Sequence, residues 1–135
     1  MGNVYVCWSR FVGNSDSIVF SRSVDHAVTW AAPLRISPSA QDGAVQGCQV
    51  ALGPNGEVYV AYEVFYIGGR RQHLMAESVN GGLTFSTPHA ITPVFNEINF
   101  QIEVPQEQLV ALTVSPLDGH VYAVYAGPVE SSGGG

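Results

Sequence analysis

Wherever the order of apolar and polar side chains is readable in this chain, it repeats every two residues. Val4, Val6 and Trp8 alternate with Tyr5 and Cys7, Val58, Val60 and Tyr62 with Tyr59 and Ala61, and Val121, Ala123 and Tyr125 with Tyr122 and Val124. Successive side chains of a strand point to opposite faces. Apolar or aromatic residues on both faces therefore predict strands sandwiched between two other sheets, not strands with one wet face. No window sustains the i, i+3, i+4, i+7 stripe of an amphipathic helix, so the predicted fold class is all-β.

The three strands also resemble one another. Gly2 to Trp8 matches Gly56 to Tyr62 at an offset of 54 residues, and Gly119 to Tyr125 follows 63 later. A second element repeats at an offset of 55: Ser23 to Ile36 aligns with Ser78 to Ile91, keeping Ser, Val, Thr, Pro and Ile and an aromatic at Trp30 and Phe85. Two unrelated elements sharing one period indicate a structural repeat. The remaining strands fall at Asp16–Ser21, Leu34–Ser37, Gln49–Gly53, His73–Ser78, Ala90–Thr92 and Leu112–Ser115, with Asn55-Gly56 as a hairpin signal because both residues tolerate positive φ. Each full unit is four short antiparallel strands in about 55 residues, the pattern of a β-propeller blade.

Composition narrows the partners. Five arginines and no lysine face eleven carboxylates, for a formal charge of −6. Nucleic acid and anionic lipid both call for clustered cations, so neither is expected, nor is membrane insertion, since no run approaches the length of a span. No cofactor and no metal are expected: Cys7 and Cys48 form neither a CxxC pair nor a His-Cys cluster. They read as two buried thiols, with a disulfide as the alternative. His26 is a turn histidine with no partner in the sequence. Trp8 and Trp30 sit at positions that predict packing in the core rather than sugar stacking.

At Ser23-x-Asp25-x-Ala27-x-Thr29-Trp30 and Ser78-x-Asn80-x-Gly82-x-Thr84-Phe85 the chain resembles the Asp-box, the bacterial neuraminidase repeat, of the sialidase superfamily. The added Pro-x-x-Ile at Pro33–Ile36 and Pro88–Ile91 is similar to the sialidase-type version. In such a box the residue at the third position accepts hydrogen bonds from its own turn, a later glycine supplies positive φ, and the aromatic fills the space between sheets. The role is structural. Ala27 stands where glycine is usual and His26 replaces a frequent glycine, at about 1 kcal/mol if φ is positive.

The resemblance implies a partial β-propeller of about two and a quarter four-stranded blades and nine strands. Residues 1–38 supply strands two to four of a first blade and 39–93 a complete blade. Residues 94–127 hold a long loop and the first two strands of a third, and 128–135 a flexible tail. Such an arc cannot close on itself. The expectation is a segment of a larger propeller with a structural or glycan-binding role. One alternative is a part of an exo-sialidase or glycoside hydrolase whose catalytic residues lie mostly outside this chain. The other is a two-blade lectin that closes by oligomerisation. Proteins it resembles are mostly secreted or surface-bound, although no signal peptide is visible.

Strand order places the Asp-boxes at one end of the sheets and four loops at the other, where propellers seat ligands: Arg10–Asp16, Ser37–Gln46, Tyr66–Arg71 and Thr92–Gln108. The ligand-binding candidates there are Arg10, Asp42, Gln46, Tyr66, Arg70, Arg71 and Glu103. Arg70-Arg71 offers guanidinium forks for a carboxylate-bearing sugar, against the plainer reading of a solvated hairpin tip. Glu97, Glu103 and Glu107 include a candidate acid/base, against solubilising charge on a long loop. Leu34-Arg35-Ile36-Ser37 lacks the aromatic and proline of the sialidase Arg motif, and no catalytic residue is assigned.

Overall fold

The computed structural model describes residues 2–98 and 109–128, which form an all-β chain of ten strands in three antiparallel sheets. Sheet A holds β1 (Val4–Val12), β2 (Ser15–Ser23) and β3 (Leu34–Arg35). Sheet B holds β4 (Val45–Leu52), β5 (Val58–Tyr66), β6 (Arg70–Ser78) and β7 (His89–Ala90), and β8 (Phe95–Asn96) pairs with the start of β6. Sheet C pairs β9 (Ala111–Val114) with β10 (Val121–Val124). The proposed tail beyond Pro128 lies outside the described residues, as do Glu103 and Glu107.

Period-two alternation explains why β5 is the centre of the molecule. Val58, Val60, Tyr62 and Val64 pack into a cluster with Ile18 and Phe20 of sheet A, joined by the half-buried Tyr5 and Cys7. The intervening Tyr59 and Ala61 pack with Met75 and Val110 and with Leu112, Val114 and Val121 at sheet C. Every residue from Val58 to Val64 is buried. Each large apolar side chain removed from water in this way contributes roughly 1.5–3 kcal/mol. β1 and β10 depart from the expected two-sided burial: β1 has a half-buried inner face at Tyr5, Cys7 and Ser9 and exposed Val4 and Val6 on the outer one, and on β10 only Val121 is half-buried.

The hairpins run further than the sequence suggests. β1 and β2 stay in register to Val12 opposite Ser15, and β5 and β6 to Tyr66 opposite Arg70, so the expected loops at 10–16 and 66–71 shrink to turns of two and three residues. Arginine at a strand end hides this extension, because its long stem lies along the sheet while its charge reaches water. β4 likewise starts at Val45 rather than Gln49, and β8 is a tenth strand inside the expected 92–108 loop.

The cysteines are not free thiols: Cys7 and Cys48 form a disulfide between sheets A and B. β4 has a register irregularity between Gln46 and Gln49, where Gly47 adopts φ +60. Cys48 lies beside that irregularity, with its Cα 6.1 Å from that of Cys7, inside the range a disulfide spans. The tryptophans also depart from the expected packing. Trp8 is half-buried on the outer side of β1, and Trp30 is exposed.

Both Ser-x-Asp/Asn turns are held by the same local bonds. The Ser23 hydroxyl donates to Asp25 Oδ1 (2.7 Å) and accepts from the Ala27 N–H (2.9 Å), while the Thr29 N–H donates to Asp25 Oδ1 (2.8 Å). The Ser78 hydroxyl donates to Asn80 Oδ1 (2.8 Å) and accepts from the Gly82 N–H (2.9 Å), and the Thr84 N–H donates to Asn80 Oδ1 (3.0 Å). The aromatics diverge: Phe85 packs edge-on against Phe20 of sheet A at 4.8 Å, whereas Trp30 has no sheet to meet among the described residues.

Candidate functional site

The register of sheet B separates its two ends. Val58 lies opposite Ser78 at the end that carries the Ser-x-Asn turn, and Tyr66 lies opposite Arg70 at the other. This second end holds a cavity of about 360 Å³ lined by Arg70, the segment Pro93–Asn96, Tyr125, Gly127 and Pro128. β8 builds its wall. The ladder sets Arg70 opposite Asn96 and Arg71 opposite Phe95, and the Glu97 N–H donates to the Gly69 carbonyl (2.8 Å). Phe95 and Tyr125 pack against each other at 5.2 Å between ring centroids, and each packs on His73 behind them, at 5.4 Å and 5.0 Å.

A polar row crosses the sheet behind those rings. Gln46, Glu63 and His73 are register partners on three adjacent strands, so their side chains share one face. Glu63 and His73 are both fully buried, with 3.4 Å between His73 Nε2 and Glu63 Oε2. Arg71 Nε lies 4.0 Å from Glu63 Oε1, and its Nη2 pairs with Glu97 at 2.5 Å. The guanidinium also stacks on Phe65, 4.1 Å from the ring centroid. Among the described residues, neither oxygen of Glu63 accepts a hydrogen bond. Burying a carboxyl group is costly unless neighbouring groups offset it. Arg71 is held most closely by Glu97, and Glu63 lies between Arg71 and His73.

The sequence candidates separate accordingly. Arg70 lines the cavity, with its Nε donating to the Ile67 carbonyl (3.4 Å). Arg71 is turned to the opposite face, as alternation along a strand requires, and is held in the ion network, so the two arginines do not converge on one anion. Gln46 joins the polar row. Tyr66 donates its hydroxyl to Gln72 Oε1 (2.7 Å) at the hairpin end. Arg10 sits exposed on β1 opposite Ser17, and Asp42 is paired at the surface with Arg35. Glu103 lies outside the described residues.

Glu63, His73, Phe95 and Asn96 were not visible as candidates. One signal was present: Glu63 is the single charged residue in a strand that is otherwise apolar on both faces. Elsewhere, burial pushes the Tyr62 phenol well above its ordinary range, and its hydroxyl donates to Gln41 Oε1 (2.8 Å). A larger groove of about 580 Å³ runs between Leu34–Ser39 and Leu83–Pro88 and contains none of the ligand-binding candidates.

The residues lining the 360 Å³ cavity include two aromatics, an arginine and an asparagine around a space of ligand size, with Arg70 and Asn96 register partners on one face of the sheet and Phe95 on the face of Arg71 and His73. Among the described residues, no group of three or more His, Cys, Asp or Glu side chains is placed to hold a metal ion, and no helix is long and apolar enough to cross a membrane. No protein-family model matches the chain, and no curated protein matches it.

Proposed function

We propose that this chain is a sialidase-like arc of a β-propeller whose role is to bind a glycan, with a sugar ring seated between Arg70, Asn96, Phe95 and Tyr125. The observation that carries the reading is the chemistry of that cavity at the end of sheet B opposite the Ser-x-Asn turn. Aromatic faces take the C–H side of a sugar, and the guanidinium and carboxamide bond its hydroxyls or a carboxylate. The two stapled turns and the 54- to 63-residue repeat support the blade architecture. Binding is favoured over turnover because Arg71, the second cation of the region, is already paired with Glu97 and Glu63.

Isothermal titration with a panel of neutral and acidic mono- and disaccharides tests the reading. At least one sugar binds, and Tyr125→Ala or Arg70→Ala weakens it about tenfold, equivalent to about 1.4 kcal/mol. Thr84→Ala, at the far end, leaves the affinity unchanged. No binding across the panel, or affinity indifferent to both cavity substitutions, overturns it.

A further inference from the structure

The repeat places equivalent residues in three sheets, and the fates of those equivalents differ. Val58 and Val60 of sheet B are each 0% exposed because sheet A covers them; their counterparts on sheet A, Val4 and Val6, are each 38% exposed on its outer face. Tyr59 and Ala61, which cover sheet C, are 8% and 0% exposed, while their sheet C counterparts Tyr122 and Val124 are 55% and 69% exposed. One end of the stack thus shows the receiving face of the repeat and the other shows the covering face. Contiguous apolar faces of this kind mark interaction sites.

We infer that a second copy of this chain docks head to tail, its Tyr122–Val124 face covering the Val4–Val6–Trp8 face of the first. The contact continues the stacking already made between sheets A and B and between B and C. It is heterologous, since the two patches differ, and it therefore propagates from copy to copy until it closes.

The turn residues favour sheet C as the occupant. Where sheet A meets sheet B, the ring of Phe20 lies so close to Gly82 that a Cβ there would be 2.8 Å from it. The counterpart of Gly82 on the outer side of sheet A is Ala27, which carries that Cβ. An incoming sheet with a ring at the Phe20 position would strike it. Sheet C, two strands among the described residues, brings Tyr122 and Val124 and no strand equivalent to β2. Tyr122 corresponds to Tyr5, whose hydroxyl lies 4.0 Å from the Cβ position of Gly81. It would meet His26 in the same way.

The inference rests on the repeat and not on glycan binding, so either can fail alone. Sedimentation equilibrium of the full chain gives a mass at least twice that of one chain. Val6→Asp, which breaks the receiving face, and Tyr122→Asp, which breaks the covering face, each give the single-chain mass. An equimolar mixture of the two variants gives two-chain species, because one intact face of each kind remains. Val4→Lys and Val124→Lys form an independent second pair, and retention of the wild-type β-sheet circular dichroism shows that each variant is folded. A single-chain mass for the wild type, folded variants that keep the wild-type mass, or a mixture that stays at single chains would each overturn the inference.

Discussion

The two Ser-x-Asp/Asn turns use one hydrogen-bond scheme in opposite surroundings. The second is docked: Phe85 meets Phe20, and Arg22 of sheet A donates to the Gly81 carbonyl at 3.4 Å. The first faces outward, with Trp30 45% exposed. Backbone demands are the same, since His26 and Ala27 adopt φ of 61 and 65 where Gly81 and Gly82 adopt 69 and 81. A side chain in that region costs roughly 1–2 kcal/mol. The comparison separates what the staple needs from what docking needs. Positive φ belongs to the staple and tolerates a Cβ at a cost, whereas the missing Cβ at position 82 belongs to the contact with Phe20.

Exchanging the two residues breaks the comparison most sharply. Gly82→Ala meets both left-handed strain and the Phe20 ring and should lose about 3 kcal/mol in urea unfolding. Ala27→Gly relieves strain with no ring overhead and should gain about 1 kcal/mol. Equal and opposite effects would show that docking adds nothing at position 82.

Truncating the aromatics comes next. Phe85→Ala removes a half-buried ring from an edge-on pair and should cost about 2 kcal/mol. Trp30→Ala, measured in dilute solution where copies are apart, should cost less than about 0.5 kcal/mol. Similar losses would mean that the first turn is as well packed as the second.

The smallest effect is confined to acid. Hydrogen bonds from the Thr29 hydroxyl first, then from the Thr29 N–H and the Ser23 hydroxyl, hold the Asp25 carboxyl down from 3.8 to about 2. A folded-state value below the unfolded one gives stability that is present above pH 3.8 and lost as pH falls toward about 2. Asn80 does not titrate. Asp25→Asn should therefore flatten the unfolding midpoint across that window, and Asn80→Asp should steepen it. A wild-type acid limb unchanged by Asp25→Asn would remove the carboxylate from the staple.

What was legible in the sequence is what local rules govern. The alternation at 58–62 and the repeated Ser-x-Asp/Asn turns are written in consecutive residues, and the sheets and staples followed. The ion network was not, because Glu63, His73, Arg71 and Glu97 meet only through strand register, and register depends on pairing across the sheet. β8 escaped because two residues carry no period. The disulfide escaped because it depends on how sheet A seats against β4. The candidate cavity was legible at Arg70 alone.

The Cys7–Cys48 link also sets how the fold carries load. Tension applied at the amino-terminal end reaches sheet B through two sulfur atoms, bypassing the 41-residue separation between them. Roughly 140 Å of extended chain is thereby locked out of any stretching event. A pull that would otherwise peel β1 from β2 like a zipper is passed at Cys7 to β4 of sheet B, so the part of sheet A beyond Cys7 is shielded from mechanical unravelling.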